Sequence, residues 1–321
     1  VFTSDNGTHN EAGNGGTVTY NPTFFDSFAG FDGIKRDCWE GGIRVGALAC
    51  WPDGIPAGGV STRPSGFWDW LPTFAELAGV PAPARTDGVS LVPALTGVGT
   101  SRASRIYTEY YINVATPTYT EFEVARRGRA RNQLQALRLG DYMGVRYNIS
   151  SHTNDFEIYH VASDPKQITN LAGVGFAALQ QELKDTVLRL RRPDSSAARP
   201  YDSEPVPAVT GVIGAAGCHW QAFTNTTLWV PDTAGLMPMA TGFAVRPAAD
   251  VRPRDSNFVL RFTGYLTAPA TGDYTFHLTA GGGAVWRLHE ATVIDADFGY
   301  VAGTETTGTI RLAAGRHPYT L

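Results

Sequence analysis

Thr3-Ser4-Asp5-Asn6-Gly7-Thr8-His9, and after it Gly33-Ile34-Lys35-Arg36-Asp37-Cys38-Trp39-Glu40-Gly41-Gly42-Ile43-Arg44-Val45, decide how this chain is read. The first stretch closes an apolar run, read as a buried strand over residues 1–4, and opens into a polar loop. Open α/β sheets bind their ligands outside the carboxyl ends of strands. An Asp carboxylate beside an Asn carbonyl offers two hard oxygens there, which suit Ca2+ or Mg2+ rather than a soft metal. The second stretch supplies Lys35, a compact ammonium able to meet an anionic oxyester. Its glycines let backbone approach closely. Taken alone, Asp-Asn-Gly is a turn and Lys35 is a surface lysine.

Outward from these stretches, residues 43–50 form an apolar run of strand length, and residues 67–78 read as a helix. Phe67, Trp70, Leu71, Phe74 and Leu77 share one face, Asp69 is placed as the cap, and Pro72 sits in the first turn. Strand alternating with helix predicts an α/β layer over residues 1–104. From residue 105 the texture changes to short polar-flanked strands over 105–111, 121–127, 134–139, 142–147 and 156–161. A helix over 176–190 follows, so residues 105–192 predict a small antiparallel α+β subdomain. Prolines 193, 200, 205 and 207 among Ser, Ala and Gly mark residues 193–216 as a linker. Beyond it, over 217–321, only strand signals remain, with Tyr274, Phe276 and Leu278 alternating, which predicts an all-β sandwich.

Composition narrows the function classes. The 321 residues are 43% hydrophobic and 17% charged with net charge −4, a globular balance. Arg126-Arg127-Gly128-Arg129 is the one basic run, read as a solvated strand end or loop, so no nucleic-acid footprint is expected. Cys38, Cys50 and Cys218 show no metal spacing. No apolar stretch approaches the roughly 18 residues of a membrane span. Val1 opens without a signal-like segment and Leu321 closes inside a strand pattern, so a fragment of a longer protein is expected.

Six pieces in order resemble the second half of the sulfatase family of the alkaline-phosphatase superfamily. They are Thr3 to Gly7; Gly33 to Val45; Trp51-Pro52; Asp69-Trp70-Leu71-Pro72-Thr73; Asp87-Gly88-Val89-Ser90-Leu91; and Tyr159 through Asp164-Pro165 to Asn170-Leu171. The resemblance implies a formylglycine-dependent sulfuric-ester hydrolase acting on sulfated carbohydrate, secreted, periplasmic or on the cell surface. It matches Asp5 and Asn6 to metal ligands for Ca2+ (or Mg2+) and Lys35 to the lysine that contacts the sulfate and the hydrated formylglycine. His9 is matched to a substrate contact, with loop stabilisation as the alternative. Glu40, Gly41, Gly42 and Arg44 are matched to structural roles, as are the Asp69 and Asp87 motifs. None of the three cysteines lies in the Cys-x-Pro/Ala-x-Arg motif that yields formylglycine, and Gly46 stands where the family has proline. The first Asp pair of the metal site is missing as well. The fragment alone is therefore expected to be inactive. Specificity is expected from residues 13–30 and from residues before Val1.

Residues 217–321 resemble a truncated PA14 domain through Cys218 to Phe223, Ala240-Thr241-Gly242, Phe258 to Tyr265, Gly272-Asp273-Tyr274-Thr275-Phe276, and Gly308 to Leu312. That implies a β-sandwich of a kind appended to secreted carbohydrate-active proteins. Ala280-Gly281-Gly282-Gly283 lacks the acidic pair of sugar-binding members, and Trp229 and Trp286 read as core. Two alternatives stay open. One is a phosphoester or phosphonate hydrolase of the same superfamily; the other is a glycan-binding or adhesion protein with a vestigial sulfatase domain.

Overall fold

A computed structural model describes residues 1–10, 21–173, 175–211 and 216–321. Its first elements are β1 (Phe2–Thr3), α1 (Glu40–Ile43), β2 (Ala47–Leu48), α2 (Trp70–Leu77) and α3 (Val92–Thr96). β1 pairs antiparallel with β2, Phe2 opposite Leu48. The strand over residues 1–4 expected to be buried is instead two residues long, and Phe2 is 75% exposed. A two-stranded ladder is marginal by itself, and no described residue covers its apolar side chains. The same holds for the apolar face of α2, where Leu71 and Phe74 are exposed.

Asp69 does more than cap. One carboxylate oxygen accepts from Gly66 N–H at 2.8 Å, closing the 3-10 turn Phe67–Asp69 that leads into α2. The other accepts from Val89 N–H at 2.8 Å, while Thr73 Oγ1 accepts from Leu91 N–H at 2.8 Å. The two motifs, 69–73 and 87–91, are thus one docked unit. Gly88 allows it, since a Cβ there would lie 1.9 Å from Trp68 O.

The sheet that follows has the order β3 (Tyr107–Tyr110), β4 (Leu134–Leu139), β5 (Tyr142–Arg146), β6 (Glu157–His160), all antiparallel. Strand side chains alternate between faces, and both faces here are apolar. Leu137 and Ile158 pack with Leu183 and Val187 of α4 (Ala177–Leu190). Leu134, Ala136, Met143 and Val145 pack instead against Cys38 and Trp39. So the segment just after Lys35 covers the second face of the sheet. The strand expected over 121–127 is a 3-10 turn, Val124–Arg126. Arg126 points inward to Asp32 at 3.0 Å, which an extended solvent-facing strand would not allow.

The last unit contains β7 (Cys218–Thr224), β8 (Ala240–Ala244), β9 (Phe258–Ala268), β10 (Gly272–Leu278), β11 (Ala284–Leu288), β12 (Ala291–Ala296), β13 (Thr306–Leu312) and β14 (Gly315–Thr320). Six strands form one sheet in the order β12-β11-β14-β9-β7-β8, and β10-β13 form a second. Leu266, Phe276, Leu288, Ile294, Ile310 and Leu312 fill the space between them. Trp286 lies in this core, stacked on Tyr319 at 4.9 Å. Trp229, also expected in the core, is used at the junction between units, its indole N–H donating to Pro81 O at 3.1 Å.

The expected linker is packed where it is described. Tyr201 is completely buried and donates to Glu109 at 2.8 Å. Val206 and Val209 bridge to Leu312 and Arg316. Prolines remove backbone donors and break regular elements, but they do not prevent side-chain burial.

At the same junction His289 and His317 form a hydrogen-bonded pair at 2.9 Å. His317 Nε2 lies 2.9 Å from Ala313 O, which can only accept, so its Nδ1 accepts from His289 Nε2–H. Burial, then His317 and Arg189, lower His289 to about 3, and burial chiefly lowers His317. Below pH 6.5 the unfolded chain therefore binds protons that the folded pair refuses, and stability falls as pH drops from 6.5 towards 3. Above 6.5 the pair contributes no slope. Thermal melts between pH 6.5 and 5 should show a falling Tm, and His289→Gln should flatten that fall.

Candidate active site

Backbone hydrogen bonds join the two decisive stretches. Lys35 N–H donates to Thr8 O at 2.7 Å, and Gly7 N–H donates to Gly42 O at 2.9 Å. Close contact requires glycine on both sides. A Cβ on Gly7 would lie 1.9 Å from Gly41 O, and one on Gly41 would lie 2.4 Å from Gly33 O. The loop carrying Asp5, Asn6 and His9 is thereby held against the loop carrying Lys35.

Lys35 is fixed from below. Its carbonyl accepts from Arg131 at 3.1 Å, so both of its backbone groups are engaged. Asp37 is buried and takes hydrogen bonds from Ile34 N–H (3.0 Å), Thr116 (2.6 Å) and Tyr147 (3.3 Å), with Arg131 at 3.9 Å. Burial pushes the Asp37 carboxyl up, opposed by the Thr116 and Ile34 hydrogen bonds and by Arg131. Trp39, fully buried, stacks on Tyr147 at 4.3 Å and ties the loop to the sheet.

The basic run read as solvated is a second support, and that reading is corrected here. Arg126 is 3% exposed, pairs with Asp32 at 3.0 Å, and lies over the rings of Trp39 (4.9 Å) and Tyr159 (5.3 Å). Arg129 sits over Tyr147 and pairs with Glu157 at 2.5 Å. Asp32 in turn accepts from Glu123 N–H, and its backbone carbonyl accepts from Gly41 N–H. Removing one member of a buried pair of this kind leaves an uncompensated charge, at a cost of about 3–5 kcal/mol.

Glu40, Gly41, Gly42 and Arg44 serve the scaffold. Glu40 pairs with Arg44 at 3.1 Å, and its N–H donates to Gln167 at 2.9 Å, joining this motif to the terminal Asp164 motif. Asp164 accepts from Ile168 and Thr169, and Asn170 accepts from Ile158 and Ala172, which makes that motif a pair of backbone clamps.

On the open side the groups with chemistry remain. Asp5 is exposed and makes no hydrogen bond or ion pair with a described residue. Asn6 donates its amide to Gly7 O at 3.1 Å, and its side-chain oxygen remains available as an acceptor. These two hard oxygens fit part of a Ca2+ or Mg2+ shell, which takes six or more oxygens. Among the described residues no group of three or more His, Cys, Asp or Glu gathers to complete one. His9 is lowered from its ordinary value by burial, then by Lys35 and Arg36, so it stands neutral beside two cations.

No cysteine fits the role of nucleophile precursor. Cys38 is buried under the sheet and its thiol is pushed up by burial; Cys218 is buried in β7, and Cys50 lies beyond β2. Residues 13–20 of the expected specificity loop lie outside the described residues, while Phe28 from its second half packs on Ile34.

The family model for the N-sulphoglucosamine sulphohydrolase C-terminal region matches residues 28–193, just over half of the chain. This chain belongs to the sulfatase family. A PA14 domain model matches residues 249–319. β7 and β8 precede that match yet pair into the same sheet as β9. No curated protein matches the chain. Among solved structures, one protein was determined in complex with its substrate D-glucosamine-2-N,6-O-disulfate; it is 25% identical over 47% of this chain and 28% of its own, with a TM-score of 0.36. The phosphonate monoester hydrolase of Agrobacterium radiobacter is 21% identical over 37% of this chain and 23% of its own, with a TM-score of 0.26. The epithelial adhesin 9 A domain from Candida glabrata, solved with Galb1-3GlcNAc, is 13% identical over 33% of this chain and 74% of its own, with a TM-score of 0.26. The sulfatase-family chain thus spans less than a third of the first of these. Among its described residues no helix is long and apolar enough to cross a membrane.

Proposed function

We propose that this chain supplies the metal-and-lysine side of the active site of a sulfuric-ester hydrolase acting on sulfated carbohydrate outside the cytoplasm. The join between the two loops supports the reading: Lys35 N–H on Thr8 O and Gly7 N–H on Gly42 O hold the loop of Asp5 and Asn6 against the loop of Lys35. Asp5 and Asn6 would hold Ca2+ (or Mg2+) together with ligands from outside the described residues. When bound, such a cation neutralises charge on ester oxygens. Lys35 binds the anionic group and stabilises the charge that develops on its oxygens. His9, neutral beside Lys35 and Arg36, orients the substrate by a hydrogen bond and adds no further charge. The nucleophile, of the formylglycine type, is expected from residues outside this chain. The PA14 unit supports a glycan as the larger substrate.

The test is to assay the full-length protein against sulfate and phosphate esters of one alcohol. Sulfate turnover that chelation abolishes and Ca2+ restores is the expected result. Turnover of the phosphate ester alone would replace this reading with the phosphoesterase, and turnover of neither, with an intact fold, would leave the glycan-binding protein. In the same protein Asp5→Ala should weaken metal affinity by at least about tenfold. Activity at saturating Ca2+ should then recover in part, while the metal-free Tm stays that of the parent.

A further inference from the structure

A cleft of about 590 Å3 opens between the sulfatase-family unit and the β-sandwich, with walls from residues near Gly88 and Arg105 on one side and from β9 and β11 on the other. That volume lies in the range of small-ligand sites. Three ion pairs cross between the units at its rim: Arg102–Asp232 at 2.5 Å, Arg105–Glu290 at 2.9 Å and Arg287–Asp87 at 3.5 Å. A fourth arginine, Arg261 of β9, lines the cleft half-buried, and its side chain makes no hydrogen bond or ion pair with a described residue. The charges on the wall therefore leave one guanidinium over. Thr86 and Thr233 also line the cleft.

We propose that this cleft binds an anionic saccharide, with the anionic group seated on Arg261. A guanidinium presents its donors as a planar fork that matches the oxygens of a sulfate ester or a carboxylate. The lining mixes charged and hydroxyl side chains with apolar ones such as Trp68 and Leu260, which matches the mixed polar and apolar faces of a sugar ring rather than a plain hydrophobe. Both units contribute walls, so the site exists only while they are docked. None of Asp5, Asn6, His9 or Lys35 lines it, so binding here is separable from hydrolysis.

Titration calorimetry at low ionic strength, with three disaccharides, tests this. The probes are galactosyl-N-acetylglucosamine 6-sulfate, its neutral parent, and a uronate-containing disaccharide. At least one anionic probe is expected to bind, and the neutral parent at least about tenfold more weakly. Which anion binds tells sulfate ester from carboxylate. Arg261→Glu should remove the binding, and Arg254→Glu, an exposed charge reversal outside the cleft, should leave it unchanged. Ala103→Trp, which fills the cleft without altering charge, should also remove it and decides the matter if Arg261→Glu misfolds. Binding of neither anion, equal binding of the neutral sugar, or equal loss in Arg254→Glu would overturn the proposal.

Discussion

If the proposed function holds, Lys35→Ala is expected to lower kcat/KM for the sulfate ester by ~10²- to 10³-fold, the loss seen when one preorganised donor to a developing anion is removed. The reason lies in how the side chain is presented. Its backbone N–H and C=O are both committed, to Thr8 and to Arg131, so the backbone from which the ammonium extends is fixed before substrate arrives. Truncation deletes a charge at the open surface and leaves that scaffold untouched. Melting should therefore shift by no more than about 0.5 kcal/mol in stability. Lys35→Arg should recover little activity, because a planar fork does not replace a compact ammonium. Parallel kinetics and thermal melts decide the matter: an unchanged kcat/KM would remove Lys35 from the chemistry.

Gly7→Ala should lose both activity and stability. Its Cβ would lie 1.9 Å from Gly41 O, and backbone on either side leaves no flexible side chain to move aside. The loops must separate, breaking the bonds Gly7 N–H to Gly42 O and Lys35 N–H to Thr8 O together. Overpacking of this kind costs about 1–3 kcal/mol, and activity should fall at least as far as in Lys35→Ala. The pair of variants separates roles: one removes the reacting group with the fold intact, the other keeps the group and misplaces it. Calorimetry that shows a parental Tm for Gly7→Ala would contradict the close contact.

Much of the fold could be read locally. The 3.6-residue period over 176–190 predicts α4 (Ala177–Leu190), and the alternation of Tyr274, Phe276 and Leu278 predicts β10. Both signals lie within one element. Asp5, Asn6 and Lys35 could be singled out by residue type and by family resemblance, and the structure brings their loops together. Asp37, Thr116 and Arg131 could not, because the bonds that make them supports join residues 37 to 116 and 35 to 131. Likewise nothing in Arg126-Arg127-Gly128-Arg129 reveals that Trp39, Tyr147 and Tyr159 are waiting to receive two of those guanidiniums. Charge in a sequence predicts solvent unless the partner is visible, and here the partners are far away along the chain. The strand over residues 1–4 failed for a related reason, since an apolar run states a preference for burial and says nothing of what covers it.

The buried strap at Tyr201 bears on how the molecule comes apart. Composition places a natural cut at residue 193, yet cutting there would withdraw Tyr201, which Val206 and Val209 tie to the sandwich, from Glu109 and Gln133 on the other side. Either piece would be left with a raw seam. The two units should therefore melt in a single calorimetric transition, and a protease offered the proline-rich stretch should nick it only once the whole has begun to unfold.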